Sequence, residues 1–109
     1  MTLNEYQRLS RTTACYPSEH QFNLLYPTLG LAGETGEVAD KIKKVIRRGG
    51  AFTPEVKKDI AKELGDVLWY VAALSHELGY DLNTLAQMNL DKLADRKQRD
   101  VIKGEGDDR

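Results

Sequence analysis

A chain of 109 residues, 30% charged and 40% hydrophobic, suits one compact domain with a single small core. Sixteen basic against seventeen acidic residues leave a net charge of -1, so composition gives no electrostatic footprint for nucleic acid or an anionic membrane. The longest unbroken apolar stretch, Val67 to Leu74, is too short to cross a bilayer, and Cys15, as the one cysteine, allows neither an internal disulfide nor a cysteine-rich zinc site. The opening residues Met1-Thr-Leu-Asn-Glu-Tyr lack the basic and apolar regions of a secretory signal, so a soluble cytoplasmic protein is expected.

Apolar residues recur at three and four, never in strict alternation, which predicts four helices and no sheet in one domain spanning 1-109. The first helix is expected near Leu3 to Thr12. The second, from about Asn23 to Arg48, carries Leu31, Val38, Ile42, Val45 and Ile46 on one stripe. Its closing Lys43, Lys44, Arg47 and Arg48 complement the helix dipole, and Gly49-Gly50 suits a left-handed end. Pro27 is costly deep inside a helix, so a start near Thr28 is the alternative. The third helix opens on Thr53-Pro54, an N-cap with proline in the first turn, and runs to Leu78. Ile60, Leu64, Val67, Leu68, Val71, Leu74 and Leu78 cover an arc wide enough for the centre of a bundle. Gly79 stops it, and Asp81 caps a fourth helix from Leu82 to about Arg99. Short connections at Gly49-Thr53 and Gly79-Asp81 favour antiparallel neighbours.

Two acidic doublets stand out, Glu34-x-x-Glu37 and Glu63-x-x-Asp66. Residues three apart are neighbours on a helix. At ~100° per residue Glu34 falls only ~20° from Val45, and Glu63 equally close to Leu74, so both border the apolar stripe. Glu37 and Asp66 follow about 60° further round. Glu37 and Asp66 also lie roughly 18 Å from the turn between the second and third helices, with Glu34 and Glu63 about one helical turn to either side, so all four acids of the hairpin face one small volume. Two unit charges ~5 Å apart repel by roughly 3 kcal/mol at an effective dielectric near 20. Protonation, lysine partners or a hard divalent cation would relieve this, and magnesium or manganese suits an all-oxygen donor set best. The plainer alternative is a solvated charged face.

On the fourth helix, Asn89, Lys92 and Arg96 continue the face begun by Leu82 and Leu85. Lys92 is expected nearly level with Asp66. Acids with metal on one side and Asn, Lys and Arg on the other suit a polyphosphate. Equally, Lys92 and Arg96 could close a helix or pair with Glu63 and Asp66.

The segments Gly33-Glu34-Thr35-Gly36-Glu37-Val38-Ala39-Asp40-Lys41, Lys62-Glu63-Leu64-Gly65-Asp66-Val67-Leu68-Trp69-Tyr70 and Asn89-Leu90-Asp91-Lys92-Leu93-Ala94-Asp95-Arg96 resemble the MazG-like, all-α nucleoside triphosphate pyrophosphohydrolases over roughly Leu24 to Arg99. The resemblance implies an antiparallel four-helix bundle and Mg²⁺-dependent cleavage between the α- and β-phosphates of a (deoxy)nucleoside triphosphate. The products would be the monophosphate and pyrophosphate, in nucleotide-pool housekeeping. It makes Glu34, Glu37, Glu63 and Asp66 the metal ligands, one of them acting in delivery of the attacking water, with Mn²⁺ a possible substitute. Lys92 and Arg96 become phosphate contacts, Asn89 a sugar or phosphate contact, and Lys41 and Lys44 weaker candidates on the Glu37 side. It implies a homodimer or a dimer of dimers, and no nucleic-acid or membrane partner. Residues 100-109 then read as a flexible lid or as a charged terminus.

Other features carry less. Gly30, Gly33 and Gly36 lack the G-K-[ST] of a phosphate loop and suit close helix approach. His20 and His76 stand in neither doublet, which counts against a carboxylate di-metal oxidoreductase. Trp69, Tyr70 and Tyr26 suit either a stacked base or the core and a dimer contact. A non-catalytic helical dimerisation module is the remaining alternative.

Overall fold

The computed structural model describes residues 1-109 and contains helices and turns with no strand. Four α-helices run in order: α1 (Leu3–Ser10), α2 (Phe22–Arg47), α3 (Pro54–Glu77) and α4 (Leu82–Gln98). Single 3-10 turns at Arg11–Thr13 and Glu19–Gln21 join the first two. No helix is long and apolar enough to cross a membrane.

The ends form where the local chemistry dictates. Thr2, Thr53 and Asp81 each accept a backbone N–H three residues on, satisfying donors that the first turn would otherwise leave bare. Gly49 and Gly79 close α2 and α3 with positive φ. Pro27 does not delay α2: the helix starts at Phe22 and passes through it. Proline forfeits its own bond to the Asn23 carbonyl, yet its ring is fully buried, and that packing offsets the loss.

Helices α2 and α3 form the long antiparallel hairpin that organises the chain. Half-buried positions 31, 34, 38, 41, 42 and 45 of α2 meet 56, 60, 63, 67, 70 and 74 of α3, each at helical spacing. At Gly30 a β-carbon would run into the Tyr70 ring, so glycine there is what lets the ring lie against α2. Gly33 and Gly36 have open space instead, so the close approach expected of all three glycines is made by one.

Helix α1 and the first turn of α4 pack at the C-terminal end of α3. Buried Gln7 joins them: its amide donates to the carbonyls of Ala72 (3.2 Å) and Tyr80 (3.1 Å), and its Oε1 accepts the Leu82 N–H at 3.0 Å. Asn4 Oδ1 takes the Asn83 N–H at 2.9 Å. With Asp81 on Thr84, three leading donors of α4 are met, and its direction is set.

Beyond Ala86, α4 is exposed except at Arg96. The wide arc of α3 is likewise only partly covered: Leu64 is 53% and Leu68 40% exposed. Only Ala72, Ala73 and Leu82 count as fully buried hydrophobic residues besides Pro27.

Candidate metal and substrate site

The hairpin puts Glu34 and Glu63 on its facing seam, half-buried, with Asp66 exposed one turn along α3. One carboxylate oxygen from each of these three lies within 4.8 Å of the others. Glu37 stands outside that group, on the exposed flank of α2. It lines a neighbouring cleft with Asp40, Lys41, Lys44, Arg48 and Asp59. Thus three of the four expected acids meet directly, and the fourth adjoins them through its charge on Glu34.

Electrostatics marks Glu34 as the strained member. Burial raises its carboxyl above the ordinary glutamate range, and the charges of Asp66, Glu63 and Glu37, with a hydrogen bond to Glu63, raise it further. Lys41 Nζ, 3.3 Å from Glu63 Oε1, supplies one positive charge against this concentration of acid. The donor set fits a hard divalent cation: it is all oxygen and negatively charged, and the mutual repulsion of its acids adds to burial in raising the Glu34 carboxyl. His20 lies against Phe22, and His76 lines a cleft with Asn4, Gln7 and Arg11, so neither histidine joins the acids.

An open cleft of about 400 Å³ adjoins the acids, lined by Thr13, Glu34, Asp66, Trp69 and Tyr70. Its far wall is built by the segment after α1. Trp69 Nε1 donates to Thr13 Oγ1 at 2.9 Å. The Tyr16 hydroxyl donates to Glu77 at 2.5 Å, while Arg11 (3.3 Å) and Asn23 (3.2 Å) donate to the same carboxylate. Tyr16 stacks on Tyr26 at 5.5 Å and meets Trp69 edge-on at 6.3 Å. Burial raises the Tyr70 hydroxyl, and Tyr26, Glu34 and Asp66 raise it further, so it keeps its proton beside the acids. Thr13 carries no periodic signal in the sequence, and only its contacts mark it as part of the cleft; Tyr16, equally silent in the sequence, backs the Trp69 ring.

The basic residues of α4 are placed elsewhere within one chain. Asn89 and Lys92 line a separate cleft with Leu85, Met88 and Asp107, and both Lys92 and Arg96 pair with Asp107, not with Glu63 or Asp66. The expected meeting of Lys92 with the level of Asp66 is therefore not made inside the chain, because Gln7 and Asn4 tie the start of α4 to α1. Lys44 is held at 2.6 Å by Asp40, which also takes Lys43 at 3.1 Å.

The family model described as the MazG nucleotide pyrophosphohydrolase domain matches residues 23–100. The "Gene 37 protein" of Mycobacterium phage L5 is similar to this chain, 46% identical over 114 aligned positions that cover 100% of both proteins. No solved structure matches the chain.

Proposed function

Since the chain belongs to the MazG nucleotide pyrophosphohydrolase family, we propose that it hydrolyses a nucleoside or deoxynucleoside triphosphate to the monophosphate and pyrophosphate, with Mg²⁺ as cofactor. Its role would be to clear or balance the nucleotide pool. The observation that carries this reading is the group of Glu34, Glu63 and Asp66 oxygens within 4.8 Å, opening on an aromatic-walled cleft.

Bound magnesium would supply charge neutralisation for the phosphate chain and would acidify water. The chain's own residues do the positioning. Glu34, Glu63 and Asp66, with Glu37 from the adjoining turn, would hold the cation, and one of these acids would also orient the attacking water and take its proton. Water adds to the α-phosphorus and gives its proton to the orienting acid, the α–β anhydride bond breaks, and pyrophosphate leaves with that bond's electron pair. No covalent nucleophile is required. Trp69 and Tyr70, on the wall of the same cleft, offer ring faces to a base. Lys41 exchanges Glu63 for a phosphate oxygen once the acids are neutralised.

Lys92 and Arg96 serve the outer phosphates and Asn89 the sugar or a phosphate, with Lys44 a lesser contact. Because α4 leaves its own chain's acids, those residues reach the substrate in a homodimer or dimer of dimers. The exposed apolar arc of α3 and the bare outer half of α4 support such association, since a chain with so few buried apolar residues gains stability by covering them.

Purified protein incubated with a panel of triphosphates and Mg²⁺ tests the reading. Equal yields of monophosphate and pyrophosphate are expected, with none from a Glu37→Gln/Asp66→Asn double variant. Undiminished hydrolysis by that variant would overturn the assignment of the acids.

A further inference from the structure

The C-terminal segment sits on two of the bases assigned above to phosphate. Asp107 Oδ1 accepts from Lys92 Nζ at 2.8 Å and from Arg96 Nη2 at 2.9 Å, and Arg96 also donates to the Asp107 carbonyl. We propose that Asp107 is a built-in competitor for polyphosphate at Lys92 and Arg96, and that the segment after α4 must swing away before a substrate's phosphates can seat there. This rests on the reading of those two residues as phosphate contacts.

Three features argue for a displaceable plug and against a structural ion pair. First, the seat is incompletely used. The Arg96 side chain is only 6% exposed, yet its Nε is shut from water with no partner. One carboxylate oxygen and one carbonyl engage a single guanidinium nitrogen, whereas a phosphate chain has enough oxygens to take two edges of the fork and the ammonium together.

Second, the plug is shallow. The Asp107 side chain is 77% exposed, and residues 102 to 108 are all exposed, so little apolar burial anchors them. What holds the segment is mainly charge-assisted hydrogen bonding, which a competing anion can replace like for like.

Third, the segment has its own shape and can move as a unit. Asp100 turns left-handed (φ 58°) to close α4, with the Val101 N–H on the Arg96 carbonyl at 2.9 Å. Arg109 then curls back and donates to the carbonyls of Val101 (2.8 Å), Ile102 (2.9 Å) and Gly106 (2.6 Å). Gly104 leaves room for this clasp, since a β-carbon there would sit 2.8 Å from Arg109 Cδ. Gly106 takes a φ of 82°, which favours glycine. The two glycines therefore shape a folded loop that presents Asp107; the clasp forms without the Lys92 and Arg96 side chains, and the Arg99 guanidinium, which donates to the Arg109 carbonyl, is the further contact with α4 that the loop gives up when it swings.

The test compares the full-length chain with Asp107→Asn and with Asp108→Asn, which makes the same charge change beside the plug. Inorganic tripolyphosphate, titrated without metal in a calorimeter, is the probe. Asp107→Asn should bind it at least fivefold more tightly than the other two. In the unsubstituted chain, the amide resonances of Gly104 and Gly106 should shift as tripolyphosphate is added. With a triphosphate substrate and Mg²⁺, KM should fall by a similar factor in Asp107→Asn while kcat stays level. Equal affinity in the two variants, weaker binding in Asp107→Asn, or no binding by any of the three would overturn the competitor. A clear affinity difference without hydrolysis by any form would overturn the proposed activity and leave the displacement standing.

Discussion

Gln7 Oε1 accepts the backbone N–H of Leu82 at 3.0 Å, and the same side chain donates to the carbonyls of Ala72, within α3, and Tyr80, in the turn that follows it. One buried amide thus ties together three helices and fixes where α4 departs. Gln7→Leu removes the acceptor and leaves the buried Leu82 N–H without a partner, while the Tyr80 carbonyl keeps the Ser75 hydroxyl at 2.8 Å. A loss of about 1–3 kcal/mol in folding stability is expected, the cost of one buried polar group left unpaired. Gln87→Leu, on an exposed turn of α4, should stay within about 0.5 kcal/mol of the parent. Chemical denaturation followed by circular dichroism reads both.

Glu77 predicts how stability responds to acid. Burial pushes its carboxyl up, but hydrogen bonds from Tyr16 and Asn23 and the charge of Arg11 outweigh this and hold it below the ordinary glutamate range. A folded-state value below the unfolded one means that the unfolded chain binds the proton first. The stabilisation is therefore whole above the unfolded value, about 4.3, and fades as pH falls through the lower folded value. Tyr16→Phe should cost about 1.5–3 kcal/mol near neutral pH, the range for a hydrogen bond to a charged group. That difference should shrink in denaturation midpoints taken at successively lower pH.

Magnesium should stabilise the chain without any nucleotide. A cation held by the native acids and not by the unfolded chain adds about 2.7 kcal/mol at a hundredfold excess over its dissociation constant. Thermal unfolding with and without Mg²⁺ should show the gain in the parent chain and its loss in Asp66→Asn. Calcium, larger and less demanding in geometry, serves as the comparison ion. A shift of equal size in parent and variant would place the cation elsewhere.

Leu64 and Leu68 stand one turn apart on α3 and are both about half exposed, at 53% and 40%. Association through this arc predicts a sedimenting mass at least double that of one chain. Leu64→Asp/Leu68→Asp should reduce it to that of a single 12.3 kDa chain with helical content unchanged. Pyrophosphate release should fall with it, because α4 would no longer reach a neighbouring chain's acids. A parent protein that sediments as a monomer and still hydrolyses triphosphate would refute the arrangement.

Much of this was legible in the chain itself. Thr53-Pro54, Asp81, Gly49 and Gly79 mark helix ends through bonds spanning three or four residues, and the structure places the ends there within a residue or two. The doublets were readable for the same reason: helical spacing puts Glu34 and Glu63 at the edge of their apolar stripes before any tertiary contact is known. Pro27 was misleading, because the burial that makes a proline tolerable inside α2 depends on a surface the local rule does not see.

What only the tertiary structure decided rests on contacts between residues far apart. Gln7 and Leu82 are 75 positions from one another, and no periodicity announces a glutamine whose three hydrogen bonds aim α4 away from the acids. Local hydrogen bonding and side-chain period determined the rods and their charged faces. The angle at which the last rod leaves, and hence Asp107 rather than Asp66 on Lys92, was decided by buried polar groups that had to find partners wherever the folded chain offered them.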